Sequence, residues 1–329
     1  MITRTIKTEK LAIIGCGYWG TIITKTLVNL GCTKIYIYDS NIKNSKTLKK
    51  NFRNLIVIKN YNKILQNEKI KNLFFATPPS KNFNLVKKAI LHEKRIFLEK
   101  PGVTKSFELS KLIKLNKKKD NHVMFGYVYC FNNYIKFIKD IILKKTLGKI
   151  LYIKFQRQNL GPIRNDVDVS YDLTSHDLSI LLYLFDKLPK KISHIKYALL
   201  KKNISDISNL HLKLNNIFID INNSWISPTK VRKITIVGSK KMLLFDEIDL
   251  KNPIKIFNKY AKYPKIHEFK KKFFESKALI YLGKNFSPKI KSKPALSNEI
   301  EYFLKMKKEN RPITDFSFSL KILKFLETI

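Results

Sequence analysis

The sequence predicts an α/β fold in two parts: a doubly wound parallel sheet, then an α+β domain with an open, mostly antiparallel sheet. Three observations carry this. Over the first third of the chain, short β-branched runs alternate with lysine-rich amphipathic stretches, the order that builds a parallel sheet with helices on both faces. A glycine-rich turn sits where the first run gives way to the first helix. After about residue 130 the alternation stops, and β-like runs follow one another with few helices between them.

The strand candidates of the first part are Leu11–Ile14, Lys34–Tyr38, Leu55–Ile58, Leu73–Ala76 and Arg95–Leu98, with His122–Phe125 as a sixth. Helical patterns fall between them near 20–29, 43–50, 61–66, 81–91 and 105–118. In the second part a helix over Asn133–Lys145 leads to a long alternating strand, Lys149–Gln158, and then to a helix over 171–185. Strands are expected at 192–200, 207–214, 216–225, 231–237 and 241–246, and residues 250–293 read as loops and edge strands. An amphipathic segment, Leu296–Lys307, precedes Pro312 and a last helix from Ser317. The expected domains are 1–122 and 123–329, with the last helix able to pack back on the first. No internal repeat or Gly/Ser linker is visible.

Composition narrows the function classes. A chain of 329 residues with 44% apolar content can bury a sizeable core. The longest apolar run, Leu178–Phe185, is too short to span a bilayer, and Met1–Lys7 carries no apolar stretch of signal-peptide length. Three cysteines, Cys16, Cys32 and Cys130, form no metal-ligand spacing, so a reducing cytoplasm and no structural metal are expected. The formal charge of +40 invites a polyanion reading. However, only seven of the 65 basic residues are arginine, and the lysines are spread along the whole chain. Runs such as Lys117–Lys119 and Lys270–Lys272 therefore read as solvated faces, and no specific nucleic-acid or membrane partner is expected.

Gly15-Cys16-Gly17-Tyr18-Trp19-Gly20 follows the first strand and opens a helix, and the next strand ends in Asp39, nineteen residues past Gly20. A GxGxxG turn alone is weak evidence; with this strand, helix and acidic residue it is the fingerprint of a Rossmann dinucleotide site. Gly15 allows the tight turn, Gly17 lets a pyrophosphate approach the backbone, and Gly20 lets the helix pack on the sheet. The N–H groups of Tyr18 and Trp19 at the helix start face the anion. Asp39 would accept the ribose hydroxyls and repel a 2′-phosphate, so NAD is expected over NADP. Two more loops lie at carboxyl ends of strands, where a nucleotide rests in such sheets: Ala76-Thr77-Pro78-Pro79-Ser80 and Leu98-Glu99-Lys100-Pro101. The proline after Lys100 restricts the direction in which that lysine leaves the strand.

Asp172 and His176 stand four residues apart, one turn of a helix, at the mouth of the apolar run Leu178–Phe185. By itself this pair fits a helix cap and a satisfied core histidine better than it fits chemistry; a dinucleotide in the same protein reverses that weighting. The loop before this helix carries Arg157 and Arg164, two of the seven arginines. Arginine suits bidentate phosphate or carboxylate binding, which points to an anionic substrate, and a salt bridge to Asp166 or Asp168 explains the two arginines equally well. Trp225 reads as core of the sheet.

GCGYWG, ATPPS, LEKPG and the Asp172-x-x-x-His176 helix, in this order, resemble the glucose–fructose oxidoreductase / inositol dehydrogenase / MocA (Gfo/Idh/MocA) family along the length of the chain. The resemblance implies an NAD(P)-dependent dehydrogenase acting on a secondary hydroxyl of a sugar, polyol or nucleotide sugar. It implies Lys100 at the reacting hydroxyl, His176 as general acid/base, and Asp172 binding substrate or tuning the other two. It also implies a homodimer or homotetramer formed through the C-terminal sheet. Within the family the loop arginines favour a nucleotide sugar or uronic acid of surface-polysaccharide metabolism. A free sugar or polyol dehydrogenase, and a catalytically idle dinucleotide-binding sensor, are the alternatives. Two positions depart from many relatives: Lys81-Asn82-Phe83 stands where a histidine often follows the TPP turn, and Gly126-Tyr127 replaces a frequent Gly-His.

Overall fold

The computed structural model describes residues 9–165, 167–262, 278–307 and 309–329. Asp166 and the Lys270–Lys272 run lie outside the described residues. The chain divides into two units: residues up to Asn132 together with Lys293–Thr328, and Asn133–Ser292.

In the first unit, strands β1 (Lys10–Ile14), β2 (Ile35–Tyr38), β3 (Leu55–Val57), β4 (Ile70–Phe75), β5 (Arg95–Glu99) and β6 (Val123–Gly126) form a parallel sheet in the order β3-β2-β1-β4-β5-β6. The order reverses beside β1, which places a ligand crevice at its carboxyl end. Helices α1 (Tyr18–Asn29), α2 (Ile42–Asn51), α3 (Tyr61–Gln66), α4 (Pro79–Leu91) and α5 (Ser106–Lys117) connect the strands. The strands are near-continuous apolar runs because both sheet faces are covered: Leu11, Ala12, Ile13 and Ile14 are all fully buried. The unit runs past residue 122, since β6 pairs in register with β5 and a 3-10 turn, Val128–Phe131, follows it.

The chain returns to this unit at its end through α8 (Ala295–Lys305) and α9 (Phe316–Leu326). Arg95 donates to the carbonyls of Phe303 and Met306 at the close of α8, at 2.7 and 3.0 Å, with its guanidinium over the Phe303 ring. Thr314 exchanges two hydrogen bonds with Phe125 on β6, and Ser319 on α9 donates to the carbonyl of Pro101 at 3.2 Å.

The second unit is an eight-stranded mixed sheet in the order β14-β13-β12-β11-β7-β10-β9-β8. Its strands are β7 (Ile150–Leu160), β8 (Lys190–Tyr197), β9 (Ile207–Leu214), β10 (Ile217–Ser224), β11 (Ile226–Gly238), β12 (Met242–Asp246), β13 (Ile254–Lys262) and β14 (Leu279–Phe286). Every pairing is antiparallel except β7 with β10. The strand expected at 231–237 begins earlier, at Ile226, with a register shift against β7 between Ile226 and Val231. Alternation decides the faces: on β7, Ile153, Phe155 and Arg157 point to the covered side. Helices α6 (Asn133–Leu143) and α7 (Ser175–Phe185) complete the unit. Trp225 is buried with Val169 and Leu173, as core.

Candidate active site

In the first unit the glycine turn is held by backbone geometry. Gly15 has φ 98°, and a Cβ there would lie 2.8 Å from the carbonyl of Ala76, so the turn closes only without a side chain. Gly17 differs. A Cβ there would meet nothing within 4 Å, which leaves open space over the first N–H groups of α1. An anion approaching a helix N-terminus needs that clearance.

Asp39 is fixed beside the turn. Its two carboxylate oxygens accept the backbone N–H of Cys16 at 2.7 Å and of Asn41 at 2.8 Å. Asn41 in turn caps α2 by accepting from Lys43 N–H. The Asp39 side chain is thereby held at the carboxyl end of β2, bonded to the glycine turn.

The two remaining loops are tied together by a residue that the sequence reading singled out only as a departure. Asn82 on α4 is fully buried; its side chain bonds the Thr77 hydroxyl, and its Nδ2 donates to the carbonyl of Gly102 at 2.6 Å. It thus joins the Thr77-Pro78 turn to the turn that carries Glu99, Lys100 and Pro101. The Lys100–Pro101 bond is cis. From below, the Tyr127 hydroxyl meets Ser319, which bonds Pro101. Glu99 lies over Gly126, where a Cβ would come within 3.0 Å of its carboxyl atoms. Burial pushes the Glu99 carboxyl up to about 7, against the opposing pull of the Trp19 indole N–H and of Lys100.

In the second unit a π-turn, Ser170–Thr174, runs directly into α7. Such turns alter the backbone spacing locally and recur at functional sites. Asp168 opens the turn by accepting Tyr171 N–H at 2.9 Å. Asn223 on β10 donates to Thr174 at 2.8 Å, pinning the turn to the sheet. Asp172 lies in the π-turn and His176 in the first turn of α7, both half-buried.

The two arginines separate. Arg164 Nη1 lies 3.4 Å from Asp172, with side-chain exposures of 36% and 19%. Arg157 is 4% exposed, and its Nε lies 2.5 Å from Asp177, which is completely buried. Burial raises the Asp177 carboxyl while Arg157 pulls it back. The described partner of Arg157 is thus the core carboxylate of Asp177; of the two expected partners, Asp166 lies outside the described residues. Asp168 pairs with Lys196 at 3.2 Å.

A family model described as an oxidoreductase family with an NAD-binding Rossmann fold matches residues 10–127. Residues 10–127 are thus similar to the NAD-binding domain of the Gfo/Idh/MocA oxidoreductases. An uncharacterized oxidoreductase of Streptococcus pneumoniae is 23% identical over 144 residues, which is 44% of this chain and 38% of the relative. The chain therefore matches less than half the length of that curated relative. Among solved structures, UDP-N-acetylglucosamine 3-dehydrogenase from Acidithiobacillus ferrooxidans superposes with a TM-score of 0.78 at 17% identity, covering 97% of this chain and 96% of that one. A mutant 3-ketoreductase from Actinomadura kijaniata, solved with TDP-benzene and NADP, gives 0.78 at 11% identity, covering 98% and 96%. At these identities the likeness is one of fold, and it spans both units.

The glycine turn and its neighbours fit a dinucleotide on this chain's own geometry: a cleared helix N-terminus at Gly17, a fixed carboxylate at Asp39, and the Thr77 and Lys100 turns locked together by Asn82. Among the described residues no helix is long and apolar enough to cross a membrane.

Proposed function

We propose that the chain is an NAD-dependent oxidoreductase that moves a hydride between a secondary hydroxyl of a sugar and the nicotinamide. Its proposed substrate class is a nucleotide sugar or a uronic acid. The observation that carries the reading is the glycine turn with Asp39 locked beside it. Both neighbouring structures are named for nucleotide-linked chemistry, a UDP-sugar dehydrogenase and a ketoreductase bound to a TDP ligand, which supports the substrate class.

When bound, the nicotinamide supplies the hydride acceptor or donor. The residues supply the rest. Tyr18 and Trp19 N–H groups at the start of α1 hold the pyrophosphate, and Asp39 receives the ribose hydroxyls. A 2′-phosphate would face the Asp39 carboxylate directly, so NAD is preferred over NADP. Lys100 stabilises the alkoxide that develops as the hydride departs. His176 takes the hydroxyl proton, since an imidazole titrates near neutrality. Asp172 orients the sugar, and Arg164, accessible and beside Asp172, meets the substrate's negative charge. Apolar residues exposed on edge strand β8 and on β10, among them Ile192, Ile195 and Phe218, favour self-association through the C-terminal sheet.

The test is a thermal-shift screen of NAD, NADP and UDP-, GDP- and dTDP-sugars, followed by turnover with each stabilising sugar. A sugar that stabilises only with NAD present, and whose oxidation falls by about 10²–10⁴-fold in His176→Asn, is the expected outcome. Binding of NAD with no turnover on any sugar would instead favour a dinucleotide sensor. Asp39→Ser should narrow the preference for NAD over NADP.

A further inference from the structure

The buried face of α8 contains a residue that packing alone does not explain. Glu299 sits among Ile300, Phe303 and Leu304 with no exposed surface, and among the described residues neither of its carboxyl oxygens has a hydrogen-bond partner. A lone buried carboxylate is costly, so such a group is either neutral or held by something. Phe303, one turn beyond Glu299, packs on Phe97 of β5 with ring centroids 5.7 Å apart. Phe97 stands two residues before Glu99, which ends β5 in the turn that carries Lys100, and Glu99 is the charge acting on Glu299. Glu99 Oε1 is likewise buried and unbonded among the described residues.

The surroundings add little positive charge. α8 packs on α1, which brings the neutral indole of Trp19 to Glu99, and β6 brings Gly126, with no side chain. Lys100 is the cation acting on Glu99. Arg95, at the other end of β5, is engaged with the carbonyls of Phe303 and Met306. Glu301, two residues beyond Glu299, is paired outward with Lys293 and Lys305. Two buried carboxyls with so little compensation oppose each other's charge, so their ionisations are coupled.

We propose that Glu299 is a positioning residue of the dinucleotide site: it shares one proton with Glu99, and that proton sets the charge that Glu99 and Lys100 present at the end of β5 to a bound nicotinamide. With the proton in place the pair carries one negative charge, balanced by Lys100. When it is released to solvent the pair carries two, which favours the cationic oxidised nicotinamide ring. The inference rests on the dinucleotide reading above and deepens it by giving a buried C-terminal residue a part in cofactor binding.

The experiment compares wild type with Glu299→Gln, a neutral isostere that keeps the shape and can donate to Glu99. In the unliganded protein, wild type should lose melting temperature relative to the variant as pH rises from the ordinary carboxylate range through neutrality, because a carboxyl whose folded pKa is raised stabilises only while protonated. In titration calorimetry across buffers of different ionisation heat, wild type should release a fraction of a proton per NAD bound near neutrality. Its NAD affinity should rise about fivefold with pH over that range, the size of one partly screened charge at about 10 Å. Glu299→Gln should release no proton and show a flat profile. Superimposable thermal and binding profiles for the two proteins would overturn the proposal. If Glu299→Gln does not fold, Glu99→Gln should remove the same thermal step, and a retained step would overturn it. Failure of the wild type to bind NAD at all would overturn the proposed function and the cofactor half of this inference, while the thermal comparison still decides whether the pair exists.

Discussion

The two units bury acidic side chains in opposite ways. In the second, Asp177 is completely buried and receives Arg157 at 2.5 Å, so a charge taken out of water meets its counter-charge inside the same core. In the first, Glu299 is as deeply buried, and its electrostatic neighbour is another carboxyl. Packing explains the first arrangement, because a buried ion pair with good geometry can hold a fold in register even when it adds little net stability. It does not explain the second. A core has no reason to keep a carboxyl that an apolar side chain could replace, unless the proton on it is used. The same contrast separates the arginines: Arg157 is consumed by the core, whereas Arg164 stays accessible beside Asp172.

The largest effect that tests this contrast comes from Arg157→Met. Removing the guanidinium takes away the largest opposing charge on buried Asp177 and leaves only Asn223 and Arg232 acting on it, which should cost about 3–5 kcal/mol in urea denaturation. Adding Asp177→Leu should restore most of that loss, because a well-packed apolar pair can replace a buried ion pair. Arg164→Met should change stability by no more than about 0.5 kcal/mol, since it is a partly exposed surface substitution, and should instead weaken binding of anionic sugars. Equal stability losses for the two arginines would erase the distinction drawn between them.

Asn82→Ala comes next. It removes a buried amide that joins the Thr77 turn to Gly102, leaving the Gly102 carbonyl and the Thr77 hydroxyl short of a partner. The expected cost is about 1–3 kcal/mol by denaturation, with weaker NAD binding measured by calorimetry. A variant with normal stability and normal NAD affinity would show that the two loops do not depend on this link.

What was legible in the sequence follows from where the determinants lie. The glycine turn and Asp39 are local: backbone approach at Gly15 and Gly17 demands residues that announce themselves. The parallel sheet was equally readable, because strands covered on both faces become continuous apolar runs. Arg157 and Asp177 are twenty residues apart on a strand and a helix, and nothing in either neighbourhood names the other. The π-turn at Ser170–Thr174 has no local signature, since its backbone is fixed by Asn223 from β10. Glu299 lies on a plainly amphipathic helix, but amphipathicity reveals only that a face is buried, not that the charge acting on it is Glu99. Asn82 was visible as a departure from relatives, and its role emerged only once Thr77 and Gly102 were seen on either side of it.

The smallest effect is the pH response of the second unit, and its sign is the reverse of the first. His194 on β8 meets the hydroxyl of Ser208 at 2.9 Å and that of Ser170, in the π-turn, at 3.4 Å. Burial, with Lys196 and Lys191 nearby and Asp168 opposing them, lowers its pKa from 6.5 to about 4. The folded unit therefore binds fewer protons than the unfolded chain, so the contribution of His194 is fully present above about pH 6.5 and is lost as pH falls through about 4. Glu99 runs the other way: raised from 4.5 to about 7, its contribution is present at low pH and lost as pH rises through about 7. Because His194 is only half-buried, solvent screening should hold its effect below about 1 kcal/mol. Hydrogen exchange resolved by segment should show β8 and the π-turn loosening toward acid while β5 and α8 loosen toward neutral pH. His194→Gln should abolish the acid response of the second unit and leave that of the first untouched. A loosening of both units in the same direction would mean that their ionisable groups answer to the charge of the whole chain and not to the local burial described for each.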